Sequence, residues 1–301
     1  MARAQEAISG IWIPLVTPFL DGRVDCASLE RLVGHYVEQR VSGLLPLGTT
    51  GESPTLDDDE AELVVERTLA AADGRVPVYV GIGGNATRKV VRQVERMARH
   101  RFDGILSVCP YYNRPGQDGL VAHFRQVASA TDRPMLVYNV PHRTSVNLGN
   151  DALLSLAEVP NIVGVKDSTG VPAQSLDFLA RRPPGFAVLA GEDAHFLAML
   201  AHGADGGVLA SAHVATSSFV AVAARMAAND HAGARAIWSG LSAGVGLLFR
   251  EANPMPVKHC LWRQGLIASP ECRLPLTRIS DNLARALDGW MDTMPRSPAH
   301  G

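Results

Sequence analysis

The sequence predicts an α/β fold, a (β/α)8 TIM barrel with a C-terminal helical appendix. Three observations carry that expectation. Eight short apolar runs recur up to residue 210, at 11–16, 43–47, 76–81, 104–108, 135–139, 162–166, 187–190 and 206–210. The segments between them, such as 28–40, 58–72, 87–100 and 119–130, carry apolar residues at helical spacing. After the eighth run the strand signals stop, and 217–228, 231–250, 254–265 and 279–294 read as helices. Eight strands alternating with helices over this length is the rhythm of the barrel. A doubly wound sheet is the alternative, but it usually has fewer strands, and the first βα turn carries no nucleotide fingerprint. The division expected is a barrel over 1–220 and a helical extension packed on it over 221–301, with the last residues, Pro295-Arg296-Ser297-Pro298-Ala299-His300-Gly301, frayed.

Composition narrows the function. The 301 residues are 47% hydrophobic and 19% charged, with a net charge of -2, and no basic stripe points to nucleic acid. Cys26, Cys109, Cys260 and Cys272 show no metal-ligand spacing and read as reduced thiols of a cytoplasmic protein. The N-terminus, Met-Ala-Arg-Ala-Gln-Glu, lacks the layout of a signal peptide. No apolar stretch approaches the roughly 20 residues that span a membrane.

In such a barrel the loops after the strands build the active site. Those loops hold Thr17-Pro18-Phe19, Gly48-Thr49-Thr50-Gly51-Glu52-Ser53, Gly83-Gly84-Asn85, Cys109-Pro110-Tyr111-Tyr112-Asn113, Tyr138-Asn139-Val140-Pro141, Lys166-Asp167, Gly191-Glu192-Asp193 and Ser211. The chain has only three lysines, and Lys166 closes the apolar run Ile162-Val163-Gly164-Val165. A lysine at a buried strand tip is largely desolvated. Desolvation favours the neutral amine, which can attack a ketone to form a Schiff base. The bland alternative is a lysine that snorkels or pairs with Asp167. Hydroxyls of Thr49, Thr50, Tyr112 and Tyr138 could surround the amine and move the protons that such chemistry requires.

These strand-end motifs, in this order, resemble the dihydrodipicolinate synthase / N-acetylneuraminate lyase family of pyruvate-dependent class I aldolases. The resemblance runs from Leu15-Val16-Thr17-Pro18-Phe19 to Arg273-Leu274-Pro275-Leu276-Thr277 and includes Asn253-Pro254-Met255-Pro256-Val257-Lys258. It implies that Lys166 forms the Schiff base with pyruvate and that Tyr138 is the acid and base beside it. Thr49 would relay protons between Tyr138 and Tyr112, with Tyr112 reaching into a neighbouring subunit's site. Thr50 would hold the pyruvate carboxylate, and Gly191 and Val208 would offer backbone carbonyls to the adduct. The covalent Schiff base would serve without a cofactor or metal, and the assembly implied is a homotetramer, a dimer of dimers.

Within the family the second substrate decides the activity. Arg143, in Pro141-His142-Arg143-Thr144, resembles the synthase branch, where an arginine grips the carboxylate of aspartate semialdehyde; its planar fork suits a carboxylate. Gly48-Thr49-Thr50-Gly51-Glu52 also resembles that branch. The expected reaction joins pyruvate to L-aspartate semialdehyde, giving 4-hydroxy-tetrahydrodipicolinate on the diaminopimelate route to lysine. Two departures leave room for a catabolic aldolase or dehydratase acting on a 2-oxo sugar acid or 4-hydroxy-2-oxoglutarate. The strand-eight segment Gly206-Gly207-Val208-Leu209-Ala210-Ser211-Ala212-His213 lacks the synthases' usual serine, and His213 takes the place of an asparagine. A non-catalytic barrel that binds an oxo acid is the third reading, and the intact set of Lys166, Tyr138, Thr49 and Tyr112 argues against it. The family's lysine-feedback pocket is poorly matched: Asn85 and Tyr111 are present, but Asp58 and Ala61 replace two histidines and Lys89 replaces a glutamate. Weak or absent lysine inhibition is expected.

Other signals have blander readings. Glu192-Asp193 reads as a helix N-cap and not a metal site. Asp57-Asp58-Asp59-Glu60 reads as favourable charge at a helix N-terminus. His142 and His213 read as solvated loop residues, since a third zinc ligand is hard to find. The glycine-rich turn at 81–85 is weak support for a phosphate cradle, and Cys109 reads as a small buried hydrophobe.

Overall fold

A computed structural model of the chain describes residues 8–294; the C-terminal segment expected to fray lies outside them. Each of the eight apolar runs supplies one strand: β1 (Gly10–Ile13), β2 (Gly43–Leu44), β3 (Tyr79–Gly81), β4 (Gly104–Val108), β5 (Met135–Asn139), β6 (Ile162–Asp167), β7 (Ala187–Ala190) and β8 (Gly206–Val208). All pair in parallel in the order β2-β1-β8-β7-β6-β5-β4-β3. A parallel bridge between Leu44 and Val78 joins the two ends, so the sheet closes into a TIM barrel.

Alternation along the strands makes two cores. Trp12, Leu45, Tyr79, Leu106, Leu136 and Leu189 point inward and fill the barrel. Their neighbours, such as Ile11, Ile13, Ile105 and Val137, point outward under the helices. Large interior rings need space from the next strand: a Cβ on Gly43 would lie 2.3 Å from the Trp12 ring.

Four strands, β1, β2, β3 and β8, are shorter than the runs that announce them. Pro14 follows β1, and Pro46 and the left-handed Leu47 (φ 59) follow β2. A short antiparallel hairpin, Phe19–Leu20 with Arg23–Val24, also appears after β1. Its Asp21-Gly22 turn has positive φ at both residues, a hairpin geometry that the sequence Asp-Gly favours. The acidic start of the helix Asp58–Ala72 forms a full capping box. Asp57 accepts from the Glu60 amide at 2.8 Å, and Glu60 accepts from the Asp57 amide at 3.2 Å.

After β8, the helix Thr216–Ala227, within which residue 220 falls, packs on β1. Three more helices follow: His231–Leu248, Met255–Arg263 and Asp281–Thr293. A buried ion pair fastens this helical part to the barrel mouth. Glu52, in the left-handed region (φ 53), ends the turn Thr49–Gly51. Its carboxylate accepts from Lys258 Nζ and from the Arg273 amide at 2.9 Å. Lys258 Nζ also donates to the Glu271 carbonyl at 2.8 Å and stands 4.2 Å from the centre of the Phe19 ring. Both ionic side chains are fully buried.

Breaking one half of a buried pair leaves an uncompensated charge, which typically costs about 3–5 kcal/mol, whereas replacing both halves is often neutral. Glu52→Gln is therefore expected to destabilise the fold by about that amount, and Glu52→Gln with Lys258→Met to recover most of it. Urea unfolding of the two variants beside the parent checks this.

Candidate active site

The C-terminal ends of the strands surround a cavity of about 250 Å³. Lys166 enters it from β6. The side chain is only 5% exposed, and Nζ lies 4.2 Å from the centre of the Tyr138 ring. Parallel pairing sets this arrangement, because Tyr138 on β5 is in register with Lys166 on β6. Asp167, the next residue, points the other way. Its carboxylate accepts from the Thr169 amide at 2.9 Å and from Ser175 Oγ at 2.6 Å, so it is committed to the following loop.

The sequence-predicted residues converge with one exception. Thr49, Thr50 and Arg143 line the cavity with Lys166 and Tyr138, and Gly191 and Val208 close its far side. Gly191 is required by space. A Cβ there would lie 2.3 Å from Ser168 Oγ and 2.8 and 2.9 Å from Lys166 Cγ and Cε. The lysine stem thus passes across the glycine. Tyr112 stands apart: it is 89% exposed, in the left-handed region (φ 73), and does not line the cavity.

A second cavity of about 380 Å³ adjoins the first. Thr49, Tyr138, Arg143 and Asn253 line both, and Tyr111 and Leu276 face only the second. Arg143, carried by the short helix Pro141–Thr144, therefore stands at their junction.

Local expectations for two acidic residues and one histidine need correction. Glu192 and Asp193 do not cap a helix: Glu192 precedes the turn Asp193–His195 without a side-chain capping bond. Asp193 is buried in the cavity wall and accepts from the Ser211 amide at 2.6 Å, tying β7 to the loop after β8. Burial pushes its carboxyl up to about 6, opposed by the Ser211 hydrogen bonds and the Lys166 charge. His213 is not solvated. It is 1% exposed, with Nδ1 2.9 Å from the Ala210 carbonyl and Nε2 accepting from the Val16 amide at 3.2 Å. Those partners require the neutral ring with its proton on Nδ1, and burial holds its pKa down at about 3. His142 is exposed, as expected, and lines the cavity. Cys109 is fully buried, and burial pushes its thiol up to about 12.

Sequence reasoning missed several wall residues, among them one beside the lysine and two from the helical part. Ser168 is buried beside Lys166 with its hydroxyl unpartnered, and Phe249 and Asn253 arrive from the helical part. Ser168 and Asn253 carried a signal as parts of the family-like motifs 164–170 and 253–258, and Phe249 carried none. Among the described residues, no three His, Cys, Asp or Glu side chains are grouped to hold a metal ion.

The dihydrodipicolinate synthetase family model matches residues 7–292. The chain belongs to that family. The 4-hydroxy-tetrahydrodipicolinate synthase 2 of Clostridium acetobutylicum is 45% identical over 94% of this chain and 99% of its own length. Among solved structures, the dihydrodipicolinate synthase of Thermotoga maritima superposes with a TM-score of 0.93 at 36% identity, covering 95% of this chain and 98% of that one. A monomeric dihydrodipicolinate synthase variant superposes with a TM-score of 0.92 at 35% identity, over 94% and 96% of the two chains. Dihydrodipicolinate synthetase family membership thus covers both the barrel and the helical part that closes its mouth.

His213 gives this family member a specific acid sensitivity. A free histidine binds its proton near pH 6.5, whereas the buried ring resists protonation down to about 3. Between those values the unfolded chain holds the extra proton, so stability falls as pH drops, by at most about 1.4 kcal/mol per unit from this group. His213→Gln, which keeps a donor and an acceptor, is expected to flatten the decline between pH 6.5 and 4. Urea unfolding across that range measures it.

Proposed function

We propose that this enzyme condenses pyruvate with L-aspartate semialdehyde to 4-hydroxy-tetrahydrodipicolinate, a lyase of lysine and diaminopimelate biosynthesis. The observation that carries the reading is the buried Lys166 beside the Tyr138 ring, in one cavity with Arg143. Lys166 Nζ attacks C2 of pyruvate, and loss of water gives the imine. Removal of a C3 proton gives the enamine, whose C3 attacks the aldehyde carbon of the second substrate. The amino group of that substrate then attacks C2, closes the ring and releases Lys166.

In this reading Tyr138 moves protons at the amine, and Thr49 passes them toward Tyr112. Thr50 donates to the pyruvate carboxylate, and the carbonyls of Gly191 and Val208 accept from the adduct. Arg143 binds the second carboxylate as a bidentate fork. The covalent adduct on Lys166 serves in place of a cofactor or metal. The exposed Tyr112 supports a homotetramer in which a neighbouring subunit receives the ring. The chemistry belongs to 1–220, and 221–301 holds the mouth of the barrel through Asn253 and Lys258. All four cysteines are free thiols, which supports a reducing, cytoplasmic setting. No helix among the described residues is long and apolar enough to cross a membrane.

The catabolic reading rested on Leu209 and His213. Both are buried and neither lines the cavity, so these departures lie behind the site.

Pyruvate-dependent loss of aspartate semialdehyde, coupled to dihydrodipicolinate reductase and followed by NADPH oxidation, tests the function. Lys166→Ala is expected to abolish turnover and borohydride trapping of pyruvate. Arg143→Ala is expected to lower kcat/KM for the semialdehyde by about 100-fold. A wild type that traps pyruvate but ignores aspartate semialdehyde would overturn the substrate assignment.

Regulation is checked in the same assay. Asp58 is tied to Arg96, and Lys89 is an exposed cation. Addition of L-lysine is expected to inhibit weakly or not at all, and strong inhibition would refute this.

A further inference from the structure

Among the described residues, the charged side chains that line the Lys166 cavity include only two that are buried, Lys166 itself and Asp193, at 5% and 2% exposure. Arg143 and His142 are exposed, and Glu192 is half-buried. His213, in the turn Ser211–His213 that Asp193 touches, is held neutral by burial. The loop that carries Asp193 lies against the lysine. A Cβ on Gly191, two residues earlier, would meet Lys166 Cγ and Cε at 2.8 and 2.9 Å. The carboxylate is nevertheless committed elsewhere, to the Ser211 amide at 2.6 Å. Among the described residues no ion pair joins it to Lys166. Burial pushes its carboxyl up, and the Ser211 amide and the Lys166 charge draw it back. Two opposite charges thus share one wall and feel each other without touching.

We propose that Asp193 is the counter-charge of the Schiff base: its field stabilises the positive charge that forms on Lys166 Nζ when pyruvate is bound covalently. The proposal rests on the Schiff-base step of the function above and adds a residue on which that step depends. The neutral amine adds its electron pair to C2 of pyruvate. The carbinolamine takes up a proton and loses its hydroxyl as water, which leaves a C=N bond with one proton and a positive charge on nitrogen. Loss of a C3 proton returns the π pair to nitrogen and gives the neutral enamine. Between carbinolamine and enamine, the charge therefore appears on a buried side chain. A fixed anion nearby stabilises that state more than it would in water. The gap between the two groups matters. A carboxylate in direct contact would favour the ammonium form of the free lysine, which cannot attack. The Ser211 amide holds Asp193 back from that contact. Asp193 is thus a positioning residue, whose role needs no contact with substrate.

Cyanoborohydride reduces the protonated imine, so the rate at which it fixes pyruvate on the protein, read by intact mass, follows that charge. The rate is measured against pH. At saturating pyruvate its alkaline limb marks loss of the iminium proton. At low pyruvate its acid limb marks protonation of the free amine. Asp193→Asn, whose Oδ1 can still accept from the Ser211 amide, is expected to move both limbs to lower pH by about one unit, a tenfold change in each equilibrium. Asp193→Ser, a second neutral variant, is expected to do the same and stands in if urea unfolding shows the first to be poorly folded. Glu192→Gln, which removes the charge of the half-buried neighbour, is expected to move them less. A folded neutral variant that fixes pyruvate more slowly with both limbs in place would overturn the proposal and leave Asp193 as an anchor for the loop after β8. An equal shift in Glu192→Gln would also overturn it, with the Schiff base intact. A wild type that fixes no pyruvate would overturn the Schiff-base function and this inference together.

Discussion

The mouth of the barrel depends on one buried carboxylate. Glu52 follows Gly48-Thr49-Thr50-Gly51 directly, in a left-handed conformation that turns its side chain away from the cavity holding the two threonines. Beneath the loop it meets Lys258 and the Arg273 amide, while the Arg273 guanidinium pairs with Glu60 in the capping box of the helix Asp58–Ala72. Both cations also stand over the Phe19 ring. The position of two hydroxyls is therefore set by groups more than 200 residues away in sequence. An apolar plug of the same volume would hold the segments with comparable strength. The ion pair adds direction, because a carboxylate with two oxygens and fixed donors has few acceptable orientations.

Alternation along the strands does the rest of the positioning. On β6, Lys166 faces the cavity while Asp167 faces out and holds Thr169 and Ser175. On β5, Tyr138 faces inward while Asn139 is buried on the other side. Asn139 donates to the Leu148 carbonyl at 3.1 Å and accepts from the Leu148 amide at 3.1 Å. That clamp fixes the chain just after the short helix that carries Arg143. Each of these two strand-end pairs divides into a residue that faces the cavity and a neighbour that pins the next loop, as a period of two requires.

This division explains what could be read from the sequence. The eight runs were legible because parallel strands covered on both faces are apolar throughout. Lys166 was legible because a cation is out of place in such a run. Asp193 and His213 were misread because nothing local distinguishes a capping carboxylate from a buried one, or a solvated imidazole from one locked between Val16 and Ala210. Their partners arrive from other strands. Asn253 and Phe249 were invisible as wall residues for a similar reason: the sequence predicts that the helices pack on the barrel, and only the packing shows which residues enter its mouth. The hairpin at Phe19–Leu20 was missed because its strands are two residues long, too short for any period to show.

Tyr112 shows where the single chain stops accounting for its own geometry. A bulky residue in the left-handed region costs about 1–2 kcal/mol, and an aromatic ring left in water forgoes the gain from burial. Its pose is nevertheless held from both sides. Tyr111 lines the second cavity, and Asn113 Nδ2 donates to the Asn85 carbonyl at 2.8 Å. A loop anchored on either side of an outward, strained aromatic spends two unfavourable terms that no contact of the ring offsets within the described chain. A second copy that buried the ring would supply the missing term. The proposed homotetramer thus has a physical motive in this loop as well as a chemical one in the relay, and the two make the same demand on the ring: that it be covered by another subunit.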